Sequence, residues 1–142
     1  MALSNVEVVR DMLNRQWNLH DISAVDYIAV DHIDHNPTHG QGQGRAHIKE
    51  MIAGMLATGD FSVEIHTVFG EGEMVASRYT VTAVLHGEFM GMPAEGKTTT
   101  SHVVGIDRVV DGQLLESWGE YDELNMMKQL GLLSPSFPYT EA

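Results

Sequence analysis

The sequence predicts an α+β fold in which a strongly bent, mainly antiparallel sheet wraps over helices and leaves a conical cavity between them. Three observations carry this expectation. Apolar residues recur at helical spacing in the first 55 residues, they alternate with period two from residue 61, and Asp111-Gly112 has the chemistry of a tight hairpin between the last two alternating segments. Helices that precede the strands, rather than alternating with them, argue against a parallel doubly wound sheet.

Ser4 and Glu7 have the spacing of a capping box, in which each side chain satisfies an orphan backbone donor at a helix start. Val6, Val9, Leu13 and Trp17 then follow at helical spacing, so residues 4–19 read as an amphipathic helix. A short second helix is expected over 22–28. A His-rich turn leads through Pro37–Gly44 to a third apolar stripe, Ile48, Met51, Ile52 and Met55, with Gly59 as its stop. From Phe61 the period changes, with Val63, Ile65, Thr67 and Phe69 expected on the same side of a strand. Glu71-Gly72-Glu73 reads as a turn, residues 74–86, 97–109 and 113–121 as three further strands, and Asp122 as the cap of a last helix ending at Gly131. Residues 1–134 form one expected domain, and 135–142, with Pro135 and Pro138, an irregular tail.

The 142 residues carry 20 acidic against 8 basic side chains, a formal charge of -12. Phosphate-tracking nucleic-acid binding and attachment to anionic membranes are disfavoured, since both draw on Lys and Arg. The chain has no cysteine, which excludes disulfides, thiolate metal sites and a Cys nucleophile. Met1–Arg10 lacks the apolar stretch of a signal peptide, and no apolar run is long enough to span a bilayer. A soluble, cytoplasmic protein is the expectation.

Specific residues then carry a resemblance over roughly residues 5–133. Asp34-His35-Asn36-Pro37, the Gly87-Glu88-Phe89-Met90-Gly91-Met92-Pro93 turn, Gly96-Lys97, Arg108 followed by Asp111-Gly112, and Trp118 followed by Gln129-Leu130-Gly131 together resemble a SnoaL-like polyketide cyclase. That family belongs to the nuclear transport factor 2-like superfamily of cone-shaped α+β barrels. The resemblance implies a lyase or isomerase that closes a polyketide ring by aldol chemistry, with an acid/base group and no metal or organic cofactor. Hydroxylase-like and epoxide-hydrolase-like relatives share the fold, so the fold does not set the reaction.

The family's central acid/base aspartate falls seven residues beyond the hairpin glycine, which is Gly119 here, and a frequent pocket histidine becomes Gly105. Strand parity places Ser101, Val103 and Asp107 on the face of Gly105, and Ser117 and Tyr121 on that of Gly119; His102, Arg108, Trp118 and Glu120 point oppositely. His35 and Asp122 are the expected proton-transfer groups and Arg78 the expected anion-stabilising group. Their structural alternatives are a loop hydrogen bond for His35, a helix cap for Asp122 and an ion pair for Arg78. Tyr121, His86, Met90, Met92, Ser101, Asp107, Gly105 and Gly119 complete the expected substrate contacts. Epoxide hydrolysis of the family type ranks lower, because Arg78 is followed by Tyr79 and Thr80 where that site needs an aspartate.

Asp31, His32, Asp34, His35 and His39 gather five ligand-type residues, yet Pro37 and Gly40 break the helix that would converge them, and no metal is assigned. Met51, Met55, Met90, Met92, Met126 and Met127 offer a flexible apolar lining, with Met90 and Met92 the stronger substrate contacts. The expected ligand is a hydrophobic, oxygenated small molecule. Trp118, Tyr79, Val81, Val104 and Ile106 on the outer sheet face suggest a homodimer. A non-catalytic binding module is the alternative function, because two glycines enlarge a pocket without adding a reactive group.

Overall fold

A computed structural model describes residues 1–37, 40–89 and 91–133. Helix α1 (Asn5–Trp17) begins with the full capping box, in which Ser4 Oγ accepts from Glu7 N and Glu7 accepts from Ser4 N. Val8, Val9, Met12, Leu13 and Trp17 form its buried face. A 3₁₀ turn (Ile22–Tyr27), capped by Asp21, leads into strand β1 (Ile28–Asp34). Helix α2 (Gly44–Ala57) follows, then strands β2 (Gly59–Glu71) and β3 (Met74–Leu85). The short strands β4 (Glu88–Phe89) and β5 (Met92–Pro93) pair as a separate hairpin. Strands β6 (Thr98–Val110) and β7 (Gln113–Tyr121) and helix α3 (Glu123–Gln129) complete the chain.

The five long strands form one strongly curved sheet in the order β1-β7-β6-β3-β2. All neighbours are antiparallel except β1, which runs parallel to β7. The fold is therefore α+β with a mixed sheet, and the expected barrel is open, with β1 and β2 as its edges. Helices α1 and α2 cover the concave face. Val9, Val25, Val75, Leu85, Val109 and Leu114 are among the most deeply buried residues. No helix among the described residues is long and apolar enough to cross a membrane.

Four local expectations need correction. Strand β1 lies in a segment to which the sequence pattern assigns no element, because a register shift between Ile28 and Ile33 breaks the alternation that would have announced it. Gly59 does not stop α2: Thr58 caps the helix, and Gly59 opens β2 where an added Cβ would meet Val84 O at 2.8 Å. A bulge in β2 between Ile65 and Thr67 turns Thr67 and Phe69 to the outer face, leaving Phe69 64% exposed. Tyr79 and Val81 pair with Val103 and Ser101 and face the cavity rather than the outer surface. The expected tail, 135–142, lies outside the described residues.

Candidate functional site

Between the helices and the concave face of the sheet lies a cavity of about 380 Å³. Its walls are mostly apolar. Helix α1 contributes Met12, Leu13 and Trp17, helix α2 Ile48, Met51, Ile52 and Met55, the β4–β5 hairpin Phe89, and α3 Met126. The rings of Trp17 and Phe61, both in the cavity wall, lie tilted with centroids 5.3 Å apart. Of the six methionines expected to offer a lining, Met51, Met55 and Met126 line the cavity, Met92 and Met127 do not, and Met90 lies outside the described residues.

Polar groups enter from three neighbouring strands. On β6, Ser101, Gly105 and Asp107 line the cavity, and on β7, Ser117, Gly119 and Tyr121 do. Gly105 and Gly119 are directly opposed, and Asp107 and Ser117 form the next cross-strand pair on that face. An added Cβ at Gly119 meets nothing within 4 Å, whereas one at Gly105 would meet Ser77 Oγ at 3.4 Å, so the open wall lies at Gly119. Asp107 stands beside that space. Ser117 Oγ lies 2.5 Å from Asp107 Oδ1, and His32 Nε2 lies 2.8 Å from Ser117 Oγ.

Asp107 is half-buried, with its open side toward the cavity and protein around the rest. Burial pushes its carboxyl up to about 6; the Ser117 hydrogen bond works against that rise, and the charge of Asp34 adds to it. Tyr79, one strand further on, is raised by burial and by Asp107 and keeps its phenol protonated. His32 is 3% exposed and its imidazole is lowered by burial, so the neutral ring is favoured. Its Nδ1 is enclosed with no hydrogen-bond partner.

His32 reaches the cavity because β1 is a strand: His32, Asp34 and Asn36 face inward, and His35 turns away. His35 stacks on Trp118 with ring centroids 4.5 Å apart, and its Nε2 lies 3.2 Å from Glu116, which also binds Arg108. Those contacts hold the Glu116 carboxyl below its ordinary range. Asp34 is committed to the loop that follows, accepting from Asn36 N and Gln41 Nε2. Asn36 in turn accepts from Gly119 N and donates to Glu120.

The remaining expected site residues are not brought together. Arg78 is exposed on the outer face, beside Thr67 and Val104 in register. Asp122 is exposed and caps α3 by accepting from Asn125 N. His86 is exposed and lies 3.1 Å from Asp60. Among the described residues no three His, Asp or Glu side chains converge on a metal position, and His39 lies outside them. Sequence reasoning missed His32, since recognising it required β1 and its parity.

No curated protein matches the chain. Solved structures do. IdmH of Streptomyces antibioticus, provisionally described as a polyketide cyclase, is 22% identical with a TM-score of 0.76, covering 91% of this chain and 99% of that one. AclR of Streptomyces galilaeus, provisionally a hydroxylase, is 27% identical with a TM-score of 0.78, covering 92% and 97%. A Mycobacterium tuberculosis epoxide hydrolase of the LEH-like type is 21% identical with a TM-score of 0.69, covering 89% and 88%. Three different activities on one architecture leave the reaction to the site itself. The family model for SnoaL-like polyketide cyclases matches residues 7–130, most of the described structure, and the chain belongs to that family.

Proposed function

We propose that the protein is a cofactor-independent acid/base enzyme acting on a small hydrophobic, oxygenated, polyketide-like substrate, by aldol cyclisation or isomerisation. The observation that carries this reading is Asp107, a carboxyl group raised to about 6 in the wall of a mostly apolar cavity. A base with that value is largely ionised at neutral pH and still accepts a proton readily. Asp107 removes a proton from the carbon next to a substrate carbonyl, and the protonated phenol of Tyr79 donates toward the oxygen where charge develops. The apolar helical wall excludes water and holds the chain of the substrate folded. Proton-transfer roles for His35 and Asp122, and an anion-binding role for Arg78, are not supported by their positions.

Non-catalytic binding is the competing reading, favoured by the open wall at Gly119. The experiment that separates them is deuterium uptake in D₂O at the α-carbon of a naphthyl methyl ketone. The proposal expects exchange above the buffer rate that falls about 10²-fold or more in Asp107→Asn, the scale of a lost general base. Saturable binding of the ketone with no added exchange would establish the binding module instead.

A further inference from the structure

Because Ser117 has a single hydroxyl proton, the hydrogen-bond chain behind Asp107 runs in one of two directions. In one, His32 Nε2–H donates to Ser117 Oγ and Ser117 donates to the Asp107 carboxylate, leaving His32 Nδ1 as a bare lone pair. In the other, a protonated Asp107 donates to Ser117, Ser117 donates to an unprotonated His32 Nε2, and the imidazole proton sits on Nδ1. The two differ by one proton gained from solvent or substrate and by the histidine tautomer.

The surroundings make these arrangements unequal. His32 Nδ1 is enclosed and meets no partner. A buried N–H without an acceptor is costlier than a buried acceptor without a donor, since orphaned N–H groups are the rarer of the two in folded proteins. The direction with Nδ1 bare is the one in which Ser117 donates to Asp107 and so favours its ionised form. We propose that His32 and Ser117 are positioning residues forming a one-way relay, whose orphan nitrogen keeps Ser117 donating to Asp107 and biases Asp107 toward its base form. This deepens the reading of Asp107 as the cavity base and rests on it for its functional meaning.

Other ionisable groups facing the relay do not replace this bias. Asp34 on β1 and the phenols of Tyr79 on β3 and Tyr121 on β7 line the same cavity, while helices α1 and α2 present no ionisable side chain to it. Asp34 opposes ionisation of Asp107. His35 and Glu116, on the far side of β1 and β7, act on His32 with opposite signs.

The relay is tested by NMR on the whole protein, following the Asp107 carboxyl carbon and the His32 ring nitrogens between pH 4.5 and 8. His32→Leu and Ser117→Ala should each raise the Asp107 midpoint by about 0.5–1 pH unit, the equivalent of one hydrogen bond. The double variant should raise it no further than one single variant, because both break one chain. His32→Gln, whose amide can donate to Ser117, should restore the wild-type midpoint. Wild-type His32 should carry its proton on Nε2 above the Asp107 midpoint. Additive shifts, an unmoved Asp107 midpoint in folded variants, or a neutral His32 with its proton on Nδ1 would overturn the relay. None of these readouts needs turnover, so the relay can fail while Asp107 remains the base, and the base can fail while the relay stands.

Discussion

A carboxyl group whose value rises on folding carries a stability cost with a definite sign. An Asp side chain is ordinarily near 3.9 in the unfolded chain, and Asp107 is near 6 when folded. Between those values the folded state binds more protons, so its contribution to stability is complete below about 4 and is lost as pH rises through 6. Asp107→Asn removes this titration and keeps a partner for Ser117. The variant should therefore be more stable than wild type at pH 7.5, by up to about 3 kcal/mol, with the difference shrinking toward pH 4. Urea denaturation at the two pH values checks this. Stability gained with activity lost is what a functional residue shows, and a purely structural one does not. At Gly119 an added Cβ meets nothing, so Gly119→Asp should fold normally and, as a second carboxylate near Asp107, should move the Asp107 midpoint further up.

The elements show what was legible in the sequence and what was not. The α1 capping box was readable because it depends on two residues at fixed spacing, and its stabilising effect should be local: Ser4→Ala is expected to lower stability by about 1 kcal/mol in denaturant titration. Strands β6 and β7 were readable because their inward residues alternate without interruption along the stretch from Ser101 to Asp107 and from Ser117 to Tyr121. Strand β1 was not, because its register shift hides the period. That single omission misplaced the site's histidine, since the identity of the inward ring, His32 rather than His35, follows from strand parity alone. In β2 the bulge next to Ile65 did the same for Phe69. Asp122 was legible twice over, and the helix needed it as a cap. Asp122→Ala should weaken α3 without lowering the α-carbon exchange of the folded protein.

For the molecule as a whole, the fold class and the family were available from spaced motifs, while the base proposed here was not, because Gly119 stands at the position the resemblance points to and the placing of Asp107 beside Ser117 and His32 is defined by cross-strand geometry. The outer sheet face keeps an apolar row at one register, Phe69, Ala76, Ile106 and Trp118, with Val104 beside it 55% exposed. We propose that this face joins two copies of the chain, as apolar patches on soluble proteins commonly do. Light scattering should then report a dimer for wild type and a monomer for Ile106→Glu; a wild-type monomer would contradict it.

The central claim is that acid/base chemistry has moved from the empty Gly119 position to Asp107. Its most direct test is the pH dependence of α-carbon exchange catalysed by the wild-type protein. The structure predicts an acid limb with its midpoint near 6 that disappears in Asp107→Asn. A limb in the ordinary carboxylate range near 4, or one that persists in the Asn variant, would contradict it.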